Sequence, residues 1–203
     1  MIAIIDYGAG NIRSIERALM HHGAAPVITS DPERIATADA LVFPGVGNAK
    51  AAMNRLRQSG VADAIIGSVE HGTPLLGICL GMQLLFGEQE EGPTTGLNLL
   101  QGRGVALPPT RKSPHMGWNI VNFQPGGPLS HLGAGSYYFV HSYIVEDANE
   151  RDTAGVSTYG VTFPSIVARD NIWGTQFHPE KSGGLGVALV GEWLKTLNSR
   201  RKA

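Results

Sequence analysis

The chain has one cysteine, Cys79, in the run Gly77-Ile78-Cys79-Leu80-Gly81. An apolar strand-like stretch, Leu75 to Ile78, leads into it, and Met82 to Phe86 begins a helix directly after it. A reactive residue between glycines at a strand-to-helix turn is the nucleophile-elbow pattern. The sharp turn pushes the sulfur clear of the backbone, and the glycines remove side chains that would strike the neighbouring elements. The helix N-terminus favours thiolate over thiol. The amide N–H of Leu80 faces the region where an oxyanion would form. A lone cysteine in an apolar strand is otherwise a small buried hydrophobe; the flanking glycines and the strand-helix setting favour the nucleophile.

A thiol nucleophile needs a base, and the base needs a group that sets its tautomer. Among the seven histidines, only His178 has a carboxylate two residues on, Glu180. Extended chain puts positions i and i+2 on one face, so Glu180 can accept from one imidazole nitrogen while the other faces Cys79. His21, His22, His71 and His131 read as ordinary surface or core residues. No metal is expected, because one histidine and one glutamate are too few ligands and a single cysteine excludes cysteine-rich zinc sites.

A third stretch, Pro44-Gly45-Val46-Gly47, follows the buried strand Leu41-Val42-Phe43. A glycine-rich turn at the end of a strand aims backbone N–H groups into a cleft. The amide of Val46 or Gly47 is therefore expected to join that of Leu80 in an oxyanion hole. Its glycines allow a peptide plane to flip, so the hole can be one that assembles only on activation. Gly8-Ala9-Gly10 imitates a dinucleotide fingerprint, but Arg13 stands at the third glycine position and no ribose-binding acid follows.

These residues need a scaffold, and the first half alternates strand and helix. Strands are expected at Met1 to Ile5, Pro26 to Thr29, Leu41 to Phe43 and Leu75 to Ile78. Helices are expected at Ile12 to His22, after the Asp31-Pro32 start, at Ala49 to Gln58 and at Val61 to His71. Continuous apolar strands between amphipathic helices indicate a mostly parallel sheet covered on both faces, with ligands beyond the strands' carboxyl ends. In the second half, strands such as Tyr137 to Val145 and Trp173 to Phe177 lack helical crossovers and read as antiparallel additions to the same sheet. Leu185 to Leu197 is a closing helix. The fold class is α/β, with one domain over residues 1–203.

Bulk properties agree. The chain has 203 residues, 42% apolar and 16% charged, with a formal net charge of −1. That supports a packed core and offers no electrostatic case for nucleic acid or an anionic membrane. The basic run Arg200, Arg201, Lys202 reads as a solvated tail. There is no basic leader and no apolar run long enough to cross a bilayer, so a cytoplasmic protein is expected.

With these motifs placed, the sequence resembles the class I (triad-type) glutamine amidotransferases along essentially its whole length. The matching stretches are Asp6 to Asn11, Pro44 to Gly47, Gly77 to Gln83, His115-Met116-Gly117-Trp118-Asn119, Tyr138 to Tyr143 and Gln176 to Ser182. The elbow and His-Pro-Glu identify the family. His-Met-Gly-Trp-Asn and Pro-Gly-Val-Gly point to its branch of glutaminase subunits in histidine biosynthesis.

The resemblance implies a single-domain, flavodoxin-like α/β fold and no cofactor. It implies Cys79 as nucleophile, His178 as base and then acid, and Glu180 as the orienting carboxylate. The Gln83 side chain and the backbone around Ser142 and Tyr143 would hold glutamine, with Gly47 on the oxyanion side. His115 to Asn119, which alone reads as a tight turn before a strand, would lie at a partner interface. The implied partner is a cyclase subunit with a (β/α)8 barrel, forming a heterodimer and using the ammonia to make imidazole glycerol phosphate and AICAR. Ala49 departs from the branch, which often carries an aromatic residue there. Three rival readings are a glutaminase subunit for another ammonia acceptor, a non-catalytic partner-binding scaffold, and a peptidase or esterase built on the elbow.

Overall fold

The computed structural model describes residues 1–200, with side chains through residue 197; the basic side chains of Arg200, Arg201 and Lys202 lie outside them. The first half runs β1 (Ile2–Ile5), α1 (Ile12–His21), β2 (Pro26–Thr29), α2 (Pro32–Ala36), β3 (Ala40–Gly45), α3 (Ala49–Gln58), α4 (Val61–Glu70), β4 (Leu75–Cys79) and α5 (Leu80–Gln83). The second half runs β5 (Glu88–Gln89), β6 (Thr94–Thr95), β7 (Arg103–Ala106), β8 (His115–Phe123), β9 (Gly135–His141), β10 (Tyr143–Glu146), β11 (Thr153–Thr158), β12 (Thr162–Arg169), β13 (Ile172–Thr175) and α6 (Gly183–Arg200).

Nine strands form the main sheet in the order β2-β1-β3-β4-β13-β12-β11-β8-β9. The ladders from β2 to β13 are parallel, and those from β13 to β9 are antiparallel. Alternation along β3 shows why its sequence is apolar without a break. Leu41 and Phe43 pack into one core cluster with α3 and α4, while Ala40 and Val42 pack into the other with α1 and α6. A strand covered on both faces has no polar side to present. Local signals set the helix ends. Asp31 accepts the Glu33 N–H at 3.0 Å and Pro32 takes the first helical position of α2; Asn48 caps α3 through the Ala51 N–H at 3.0 Å.

Four sequence expectations are corrected. β3 does not break at Pro44 but runs on to Gly45. Its pairing with β1 ends at Val42, so on that side the N–H that Pro44 lacks breaks no ladder bond. The helix after Cys79 begins at Leu80 and lasts one turn, instead of running from Met82 to Phe86. The carbonyls of Leu84, Leu85 and Phe86 are taken by the amides of Leu97, Leu99, Leu100 and Asn98, which removes them from any longer helix. Tyr137 to Val145 is two strands, β9 and β10, which part at Ser142 into different sheets. Finally, the additions are neither all antiparallel nor all in one sheet: β13, expected as antiparallel, pairs parallel with β4, and β10, β7, β5 and β6 form a separate four-stranded sheet. No helix among the described residues is long and apolar enough to cross a membrane.

Candidate active site

The site lies where β3, β4 and β13 end, beyond the carboxyl edge of the parallel half of the sheet. Cys79 closes β4 at φ 55 and ψ −113, a positive φ that non-glycine residues rarely adopt. Such strain persists only where the surroundings dictate it. Here they do. A Cβ on Gly81 would collide with the Phe43 carbonyl oxygen, and one on Gly45 would fall 2.6 Å from the Tyr7 hydroxyl and 2.7 Å from the Gly81 nitrogen. The elbow and the turn after β3 thus touch backbone to backbone, and the register sets Gly45 beside Cys79.

His178 follows β13. Its amide donates to the Tyr138 carbonyl at 2.9 Å, and its carbonyl accepts from Ser182 Oγ at 2.6 Å, so the backbone is held on both sides. The ring Nδ1 lies 2.8 Å from Glu180 Oε1, with both side chains almost fully buried. Nδ1–H donates to the carboxylate, which leaves Nε2 for the proton transfer that a base performs. Nε2 is buried and makes no hydrogen bond of normal geometry in the resting site. Burial disfavours the imidazolium, but hydrogen bonding and charge from Cys79 and Glu180 outweigh it and push the His178 pKa up to about 9. Glu180 Oε1 also accepts from Asn11 Nδ2 at 3.4 Å.

Cys79 lines a cavity of about 260 Å³ together with Val46, Gly47, Leu80, Gln83, Ser142 and Tyr143. Every oxyanion and glutamine-holding residue expected from the sequence is therefore brought to one place. The split between β9 and β10 explains how Ser142 and Tyr143 reach it. Gln83 Nε2 donates to the Tyr143 carbonyl at 2.8 Å and to Gln176 Oε1 at 2.9 Å, so both amide hydrogens are in use and Oε1 is left as an acceptor. His21, His22, His71 and His131 serve elsewhere. His22 bonds the Val187 carbonyl, His71 the Gly67 carbonyl, and His131 approaches Glu192.

The stretch from His115 to Asn119 is the start of the long strand β8, not a turn. Its residues face two ways. Met116 and Trp118 are 62% and 58% exposed, whereas His115 is 3% exposed and stacks on Tyr159. The His115 side chain is thus part of the interior.

Sequence reasoning passed over three residues. Asn11 steadies Glu180; its position just after two glycines at the carboxyl end of β1 was the available signal. Glu91 lines the cavity, where burial pushes its pKa up against the pull of the Ala49 N–H, which it accepts at 2.7 Å. Ala49 is therefore engaged through its backbone, at the start of α3. Tyr7 has a buried hydroxyl with no partner; burial and the nearby Cys79 charge raise its pKa, against a smaller pull from Arg55. Among the described residues no cluster of side chains is suited to a metal ion.

Comparison with known proteins bears on this arrangement. The family model described as glutamine amidotransferase class-I matches residues 3–190. A protein of Geobacillus thermodenitrificans named imidazole glycerol phosphate synthase subunit HisH is 47% identical, covering 98% of each chain. One of Methanopyrus kandleri with the same name is 48% identical over 95% of this chain and 96% of its own. Among solved structures, a glutamine amidotransferase superposes with a TM-score of 0.78 at 20% identity, covering 97% of this chain and 98% of the other. A chain of PurLQS from Thermotoga maritima gives 0.74 at 18%, covering 97% and 98%. The two structures speak to the fold alone, while the family model and the near-full-length relatives speak to descent: the chain belongs to the class I glutamine amidotransferases.

Proposed function

We propose that the chain is the glutaminase subunit of an imidazole glycerol phosphate synthase, releasing ammonia from glutamine for a cyclase subunit. The observation that carries the reading is the strained Cys79 elbow beside a buried histidine whose other nitrogen is committed to Glu180. The shared name of relatives almost half identical over nearly the whole chain supports the pathway.

The chemistry follows from the positions. The Cys79 thiolate adds to the side-chain amide carbon of glutamine, and the Leu80 N–H, with that of Val46 or Gly47, holds the oxygen as it becomes negative. Protonated His178 gives its Nε2 proton to the departing nitrogen. The C–N bond breaks, ammonia leaves, and a γ-glutamyl thioester remains. Water then gives a proton to Nε2 as it attacks the thioester; glutamate departs and the thiolate is restored with His178 protonated again. Gln83 Oε1 and the Glu91 carboxylate offer acceptors for the substrate's α-ammonium, and the backbone at Ser142 and Tyr143 holds its α-carboxylate. Free ammonia becomes ammonium in neutral water and loses its nucleophilicity, so the partner receives it by a dry route. In this reading the partner is a (β/α)8 barrel, seated over the exposed Met116 and Trp118 of β8, and the pair is a heterodimer.

The test is glutamate release from glutamine, with and without the nucleotide ligand and the cognate cyclase subunit. The expected result is slow release alone and a large rise with both. No release from a folded chain in a proven complex would favour a scaffold, and release with a different acceptor protein would reassign the pathway.

A further inference from the structure

His115 and His141 take no part in the chemistry above, yet they are buried side chains facing each other across β8 and β9. Their nitrogens settle their own protonation. His141 Nδ1 lies 2.9 Å from the Tyr143 carbonyl oxygen, which can only accept, so Nδ1 carries a hydrogen. Burial, with smaller contributions from His115 and His178, drives the His141 pKa down to about 3, against the pull of the Tyr143 carbonyl. The ring is neutral and its Nε2 is a bare acceptor. His115 Nδ1 stands 2.9 Å from that nitrogen and must be the donor. Burial lowers the His115 pKa as well, so its Nε2 is also bare, and it faces Asn119 Nδ2 at 3.4 Å. The Asn119 amide is oriented by its own contacts: Oδ1 accepts the Ile120 N–H at 2.8 Å and Nδ2 donates to the Thr158 carbonyl at 3.0 Å.

Every link therefore admits one direction. Protonating either ring at its bare nitrogen would set two N–H groups head to head, beside an already cationic His178. The rings are also packing groups, since His115 stacks on Tyr159 with centroids 4.0 Å apart and His141 lies against Phe163 at 5.4 Å.

We propose that His115 and His141 are positioning residues: a one-way hydrogen-bond relay, from Asn119 through His115 and His141 to the Tyr143 carbonyl, holds the Ser142–Tyr143 turn in the shape that receives glutamine. This rests on the reading of that turn as the substrate's seat. The relay supplies one of two bonds to the Tyr143 carbonyl, Gln83 supplying the other, and the Ser142 carbonyl is taken by the Leu107 N–H at 2.8 Å. Both lone pairs of the Tyr143 oxygen are then occupied, which fixes the plane of the peptide that follows.

Two measurements test it. Long-range 1H–15N spectra of the chain labelled in histidine, at neutral pH, should show His115 and His141 both neutral with the hydrogen on Nδ1. Either ring found as the Nε2–H tautomer or as imidazolium overturns the relay. In Asn119→Asp, an acceptor faces His115 Nε2 and should draw a proton onto it; a nitrogen that stays bare likewise overturns the relay.

In the complex, His115→Phe keeps the stacking and removes both nitrogens. It should raise the glutamine KM roughly three- to tenfold with kcat changed less than about twofold, the size of one neutral hydrogen bond. His115→Asn, whose amide can donate from the place of Nδ1, should recover most of the loss. An unchanged KM in folded His115→Phe, or no recovery in His115→Asn, refutes the positioning role; should His115→Phe not fold, a normal KM in Asn119→Asp refutes it. A wild-type complex that releases no glutamate refutes the glutaminase reading and with it this role for the turn, whatever the spectra show.

Discussion

At the scale of single residues, the site sets charge against burial. His178 is raised to about 9 although burial alone would lower it, because Cys79 and Glu180 both favour its charged form. Removing the sulfur should expose that balance. In Cys79→Ala, glutamate release is expected to fall by at least about a thousandfold, and NMR titration should find the His178 pKa below its wild-type value. The linkage has a definite sign. A folded pKa above the unfolded value of about 6.5 contributes stability that is full below that pH and lost as pH rises through 9. Thermal melts of the wild type should therefore lose stability across that window, and Cys79→Ala should lose less. Glu180→Gln removes the carboxylate that selects the tautomer, and a fall in kcat of roughly 10²- to 10⁴-fold is expected. Asn11→Ala weakens only one long contact to Glu180, so steady-state kinetics should show a kcat loss of less than about tenfold.

At the scale of elements, two glycine positions make opposite demands. Gly81 has no space for a methyl group because the one-turn helix α5 rests directly on the Phe43 carbonyl. Gly81→Ala should cost on the order of 3 kcal/mol or more, or prevent folding, as read by denaturant melts. Gly47 has open space around it but sits at φ +91. Gly47→Ala should cost only about 1–2 kcal/mol of backbone strain, while restricting the peptide rotation that an activatable oxyanion turn needs. The expected signature is a folded chain whose glutaminase rate no longer rises fully on addition of the partner and its ligand. An undiminished rise would show that the turn needs no such freedom.

At the scale of the whole molecule, the parallel half of the main sheet positions Cys79 and His178, and the antiparallel half presents an apolar surface. Trp118 lies edge-on to Tyr138 with Met116 beside it on β8, all on an interior-braced strand. Trp118→Ala should leave the melting temperature of the free chain nearly unchanged and weaken the cyclase complex by about 2 kcal/mol, roughly thirtyfold in Kd by titration calorimetry. Equal affinity would place the partner on another face.

Much of this was legible from residue types and spacing. Cys79 between glycines declares a strained turn, and the Glu180 carboxylate two residues beyond His178 declares a pair. The extended strand expected to carry that pair ends at Thr175, however, and a 3-10 turn, Pro179–Lys181, brings the two side chains together. The continuous apolar strands of the first half declare a sheet covered on both sides. What the chain's own pattern did not declare is whatever depends on partners distant in sequence. α5 stops after one turn because amides from Leu97 to Leu100 take the carbonyls of Leu84 to Phe86, which would have extended it. The strand through Ser142 breaks because its two halves pair with different sheets. Asn11 meets Glu180 across 169 positions, and Glu91 enters the cavity from a loop with no periodic signal. Local sequence sets dihedral preferences and the period of burial, and those determined the elbow, the nearness of His178 to Glu180 and the class of fold. Which hydrogen-bonding groups are claimed by remote backbone is a property of the folded packing, and only the tertiary structure decided it.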